Sequence, residues 1–428
     1  MRGALVAVSV VVGVGAMSVT GADVMSPLAE RYVMLVLAVG QHDPDFVDAY
    51  YGPPAWKQQA ERHGKQPLGD LQREGEALVA ALSATPTSAD RLEQLRREYL
   101  TAQSKATVTR VRMLSGTRLR FDDESRALYD AVAPTRPEAY FSDALKALDG
   151  LVPGPGPLAA RVEAFRQRFV IPRDKLNAVF RAAVDACRQQ TVAHLQLPAG
   201  EQFTIEYVTG KSWSGYNWYQ GNYRSLIQVN TDLPTFIDRA LDLACHEGYP
   251  GHHVYNVLLE HHLVRGRGWQ EFTVYPLFSP QSLIAEGTAN FGIDVAYPSA
   301  ARVAFEREHL FALAGLDAAQ ASKFYDVVAL LDRLSYAGNE AARRYLNGDI
   351  TAAHAVDWLV TYTLSSRERA EQRVRFFDQY RSYVINYNVG KDLVRAYVER
   401  QGGTADKPEV RWKVFGDLLS SPRLPSGL

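Results

Sequence analysis

The stretch DLPTFIDRALDLACHEGYPGHHVYNVLLE, residues 232–260, carries an apolar stripe at helical spacing and then a cluster of ionisable groups. Phe236, Ala240, Leu243 and Ala244 recur at three- and four-residue steps, so they share the inner face of a helix that Thr235, directly after Pro234, can cap. His246 and Glu247 end that helix. Tyr249-Pro250-Gly251 interrupts it, and His252-His253 follow at once. A zinc hydrolase needs neutral imidazoles as ligands and a carboxylate poised to take a proton from water. The familiar pattern sets two His one helical turn apart with Glu next to the first. Here Pro250 stands where the second His belongs. On an unbroken helix His253 would share a face with His246, about 10.5 Å further along, and His252 would point away. Pro250 lacks an N–H and Gly251 relaxes the backbone, which argues against an unbroken helix. A bulge between the imidazoles, of a kind found at functional sites, would return His252 to a metal. On geometry, His252 and His253 are both candidates.

A catalytic zinc takes three protein ligands, so a third belongs downstream. In SPQSLIAEGTANFGIDVAYP, residues 279–298, Glu286 sits among Ile284, Ala285, Gly287, Thr288 and Ala289, on a helix starting after Pro280. A carboxylate on so apolar a stretch is expensive to bury without a cation. The competing reading is a salt bridge to one of the many arginines. Asp242, one turn before His246, fits either an acceptor for that imidazole's second N–H or a solvated helix carboxylate. His261 and His262 read as a polar helix end. In QYRSYVINYNVGK, residues 379–391, Tyr387 is the candidate donor to a developing oxyanion and Arg381 the candidate holder of a substrate carboxylate. A Tyr stripe on a helix is more often core packing. His253, if not a ligand, falls close enough to touch substrate.

Working outward, helical periodicity dominates. Pro27 to Val39 reads as a helix, DPDFVDAYYGPPAW (43–56) as a loop, and Leu92, Leu95, Tyr99, Ala102 and Ala106 as the apolar stripe of a long solvated helix. Pro153, Pro155 and Pro157, interleaved with Gly154 and Gly156, mark a linker. Helices follow near 158–169 and 172–195. Phe203, Ile205 and Tyr207 alternate with polar residues. The aromatic loop KSWSGYNWYQGNYR (211–224) and then SLIQVN (225–230) complete two strands, the latter a candidate exposed edge for an extended peptide. The expected class is mainly α with a small accessory β-sheet. Its parts are an N-terminal helical region, 23–152, and a metal-site region, 153–428, forming one unit.

The chain has 428 residues, 46% of them hydrophobic and 22% charged, close to globular averages, which excludes fibrous and disordered classes. Lys+Arg number 47 and Asp+Glu 48, a net charge of -1 that argues against nucleic acid as the partner. Arg2 precedes an apolar run, Ala4 to Met17, and small residues at Thr20, Gly21 and Ala22 offer a cleavage point. Residues 1–22 therefore read as a secretory signal peptide, and no later run has the roughly 18 apolar residues a membrane span needs. Cys187 and Cys245 are expected as two separately buried thiols.

HEGYPGHH at 246–253, followed by AEGTA at 285–289, resembles the zincin-like bacterial family of domain of unknown function 885. YYGPPAW (50–56), SGTRLRFDDES (115–125), LPAGE (197–201) and YNVGK (387–391) fall in that family's order, so the resemblance runs from Tyr50 to Lys391. It implies a helical metallopeptidase-like fold with a metal between the helices carrying the two main motifs, and it favours His252 as ligand. Tyr255 departs from the family, where Gln is common. The expectation is an exported hydrolase in which His246, His252 and Glu286 hold Zn2+ and Glu247 is the general base, acting on a peptide or small amide. The alternatives are a non-peptide amide or ester hydrolase, and a non-catalytic binding protein that metal stabilises.

Overall fold

The computed structural model describes residues 24–428 apart from Ser212 and Leu233, so the expected signal peptide lies outside the described residues. Helices make up most of it, and two small sheets complete it, so the class is mainly α as expected. The stripe from Leu92 onward forms the helix Arg91–Leu114, capped by the Asp90 carboxylate, which accepts from the Leu92 and Glu93 N–H groups. Tyr99 and Ala106 are buried along it.

Where the sequence suggests two strands around a loop, there are three: β2 (Gln202–Val208), β3 (Gly215–Gly221) and β4 (Arg224–Asn230). The aromatic loop is itself β3. Strand order is β2-β4-β3, with β4 parallel to β2 and antiparallel to β3. SLIQVN is therefore central, not the edge, and cannot pair with a peptide. A second ribbon pairs β1 (Val47–Tyr50), inside the expected loop, with β5 (Val274–Pro276).

Pro153 to Pro157 is an exposed connection without helix or strand. Beyond the β1–β5 ribbon, Arg96 pairs with Glu271 at 2.6 Å, Tyr99 donates to Gln281 at 2.7 Å, and Arg343 holds Asp122 at 2.9 Å. The segments before and after this connection thus share a sheet and buried polar contacts.

The helix Pro280–Ala296 is buried over nearly its whole length and packs on Ile385–Arg400. Two glycines set that approach. A Cβ on Gly287 would lie 2.5 Å from the Gly390 carbonyl oxygen, and one on Gly390 2.8 Å from that of Leu283. The glycines of AEGTA and YNVGK therefore serve the same contact.

Cys187 and Cys245, both fully buried, form a disulfide with Cα atoms 5.5 Å apart. This corrects the expectation of two thiols. The helix Leu176–His194 packs against the segment preceding His246 and brings the two sulfurs together. No helix of the described residues is long and apolar enough to cross a membrane.

Candidate metal centre and its cleft

The helix leading to the motif spans Ile237–Leu243, with Phe236 rather than Thr235 at its N-cap and no side-chain cap. The Thr235 carbonyl is used by Ile171 N–H at 2.9 Å, and the Ile237 N–H goes to Phe169. The chain then widens into a π-helical turn, Ala244–Gly248, which carries His246 and Glu247. Gly251 folds back so that its N–H donates to the Cys245 carbonyl at 2.9 Å. A Cβ there would sit 1.8 Å from the His246 carbonyl oxygen, so only glycine fits. A new helix, His252–Leu259, starts at once, with the His246 and His252 rings 4.7 Å apart. The widened turn and the break together do what the regular helix could not: they bring His252, not His253, beside His246.

Glu286 approaches from the 280–296 helix, its Oε2 3.5 Å from His246 Nε2 and 3.9 Å from His252 Nε2. Ligand atoms of His246, His252 and Glu286 all lie within 4.8 Å of one another. Tyr383 donates to Glu286 Oε1 at 2.9 Å, while Oε2 is buried without a hydrogen-bond partner among the described residues. Burial pushes His252 down to about 4 and His246 well below the usual imidazole range, so both rings are neutral. Burial likewise raises Glu286 to about 7, and burial reinforced by the Glu286 charge raises Glu247 to about 8. Two neutral imidazoles and one unpartnered carboxylate oxygen at this spacing fit a tetrahedral zinc with an open fourth position.

Glu247 is buried, with Oε1 4.0 Å from His246 Nε2. Its carbonyl accepts from Asn217 Nδ2 at 2.7 Å, and its carboxylate lies where a Cβ on Gly215 would be 2.7 Å away. β3 therefore holds the carboxylate from one side. Gly215, Tyr216, Asn217 and Tyr219 of β3 line a cleft of about 1250 Å³ that the two histidines, Glu247, Glu286 and Tyr387 share. Tyr387 keeps its proton, because burial lifts its pKa, and its ring stands edge-on to Tyr383 at 5.7 Å.

Two expected substrate contacts lie elsewhere. His253 is fully buried between Ser225 Oγ, 2.8 Å from Nδ1, and Glu201 Oε2, 3.0 Å from Nε2, and does not reach the cleft. Arg381 is engaged by Glu124 at 2.6 Å, the same carboxylate that accepts from the Ser382 N–H and hydroxyl, and is not a cleft residue. Asp242 pairs with Arg239 and faces Arg302 at 3.7 Å, while Asn290 hydrogen-bonds His246 instead.

Sequence reasoning missed several groups. Glu201, the last residue of LPAGE, holds His253 and also accepts from Tyr249 at 2.6 Å and Arg188 at 2.9 Å. Asn290, one turn after Glu286, donates to the Glu286 and Tyr387 carbonyls and so ties the 280–296 helix to its neighbour. That four-residue step was the available signal. Asp48 opens onto the cleft from β1, where the sequence suggested only a loop.

No family model matches the chain, and no curated protein matches it. Among solved structures, a protein of Colwellia psychrerythraea described as a lipoprotein superposes with a TM-score of 0.50 at 14% identity, over 84% of this chain and 68% of its own. Metallocarboxypeptidase 1 of Trypanosoma cruzi gives 0.47 at 12% identity over 94% and 92% of the two chains. An M32 carboxypeptidase of Deinococcus radiodurans R1 gives 0.38 at 12% identity over 94% and 91%. At 14% identity and a TM-score of 0.50, the likeness to the Colwellia protein is one of fold alone.

Proposed function

We propose that this protein is an exported zinc-dependent hydrolase acting on peptides, with His246, His252 and Glu286 as the metal ligands. The observation that carries this reading is the buried, unpartnered Oε2 of Glu286 facing two neutral imidazoles, with a second buried carboxylate, Glu247, alongside. Bound zinc would supply a Lewis acid for a carbonyl and would make water acidic enough to react near neutral pH. Glu247, buried beside His246, takes the proton of the attacking water and passes it to the leaving amine. Tyr387, protonated and in the cleft, donates to the oxygen on which negative charge develops. The edge strand β3 offers backbone groups along which an extended peptide can lie.

A purely structural zinc wants a closed set of four ligands. Cys245, the nearest thiolate candidate, is spent in the disulfide, which favours an open site. Export after loss of residues 1–22 belongs to the same proposal. Metal analysis joined to Glu247→Gln tests it. Wild-type protein should hold one zinc and hydrolyse peptides, and Glu247→Gln should keep the zinc while losing about 100-fold or more of the rate. Protein that binds no transition metal, or a variant with full activity, overturns the reading.

A further inference from the structure

Two opposite charges on the cleft wall, Asp48 and Arg373, have no ion-pair partner among the described residues. Asp48, on β1, accepts from Tyr216 Oη at 3.1 Å, and among the described residues no Lys, Arg or His lies within ion-pair distance of it. A carboxylate turned into a shielded cleft without a counter-ion is costly unless a ligand brings the cation.

Arg373 stands on another wall. Its guanidinium lies 4.5 Å from the Phe376 ring centroid and 5.6 Å from that of Phe377, and among the described residues no carboxylate pairs with it. Arg239 is held by Asp242, and Lys391 and Arg395 by Asp294 at 3.2 and 2.9 Å. Arg373 has no such partner, and its charge reaches Tyr387 beside the histidines. Stacking leaves the edge of the Arg373 fork free for a planar anion. A line of contacts runs from Arg373 to the metal centre. Phe376 meets Tyr380 at 4.7 Å, Tyr380 meets Tyr383 at 6.1 Å, and Tyr383 donates to Glu286. Arg373 and Tyr380 are seven positions apart on the helix Arg367–Tyr380, about 10.5 Å along its axis. An extended peptide covers that distance with about three residues.

We infer that the cleft reads both free ends of a short peptide, with Asp48 taking the α-ammonium group and Arg373 the α-carboxylate while the scissile bond lies over His246, His252 and Glu286. Such a site selects oligopeptides a few residues long and rejects internal segments of folded proteins. The inference rests on the peptidase reading above.

The test uses the full chain loaded with zinc and Ala/Phe peptides of two to six residues. Each is made in four forms: both ends free, N-acetylated, C-amidated and doubly blocked. Free peptides should be cut with kcat/KM about 10–100-fold above singly blocked ones, mainly through KM, as expected for a charge-assisted hydrogen-bonded contact. Asp48→Asn should lose the preference for a free amine and keep that for a free carboxylate. Arg373→Gln should do the reverse, and Arg373→Lys should restore part of it, all with wild-type melting temperatures. Equal turnover of the four forms, or variants that weaken all forms alike, overturns the inference and leaves the peptidase reading standing. If no peptide is cut, that reading falls. Calorimetric affinity of zinc-loaded Glu247→Gln for the same peptides then decides the matter. Equal binding of all four forms overturns the inference, and tighter binding of the free form upholds it.

Discussion

Glu286 and Glu247 carry their protons unusually far up the pH scale, to about 7 and about 8, because burial disfavours their charged forms. A ligating carboxylate must be ionised, so zinc held by Glu286 as proposed would displace its proton. Zinc affinity should therefore fall as pH drops through about 7 and level off above it. Titration calorimetry in buffers of different ionisation enthalpy should show proton release near pH 6. Gly215 gives a second expectation. A methyl group there would stand 2.7 Å from Glu247 Oε1 and 2.9 Å from Leu243 Cδ2. Gly215→Ala should lower kcat by about 100-fold through misplacement of the base, with zinc content unchanged. At this scale the sequence was informative where chemistry conflicted with surroundings. Glu286 stood out as a carboxylate in an apolar run, and His246 with Glu247 by their adjacency. His252 was not decidable from spacing, because no regular helix describes a widened turn followed by a break. Arg381 misled because its partner, Glu124, is remote in sequence.

The segment carrying His246 and Glu247 is a single wide turn, and the disulfide fastens it to the 176–194 helix. Cys187 and Cys245 are 58 residues apart, so removing the bridge should cost about 4 kcal/mol by loop-closure entropy. Cys187→Ala should show that loss in denaturant unfolding, together with weaker zinc binding as the turn loosens. Wild-type stability and affinity in the variant would contradict this. Long helices were legible because a 3.6-residue period repeats several times in the Arg91–Leu114 segment. β1 and β5, of four and three residues, are too short for a two-residue alternation to register. β3 lay hidden in a run rich in Gly, Asn and Trp, and β4 read as an edge because strand order is not written in local pattern.

Taken whole, the cleft draws on β1, β3, the histidine turn, the 280–296 helix and the helices after 367. Because the β1–β5 ribbon, the Arg96–Glu271 pair and the Arg343–Asp122 pair join early and late parts, we expect one calorimetric unfolding transition for residues 24–428. Two resolved peaks would instead assign the Pro/Gly connection at 153–157 to a true domain boundary. The widened histidine turn also has a consequence for biosynthesis. His246, His252 and Glu286 leave the ribosome close together, well before Arg373 and Tyr387. A growing chain thus has Asp48, β3 and the three candidate metal ligands before it has the wall that carries Arg373 and Tyr387. The cleft is therefore closed last by the C-terminal helices, so its candidate metal ligands wait for the Arg373 and Tyr387 wall that completes it.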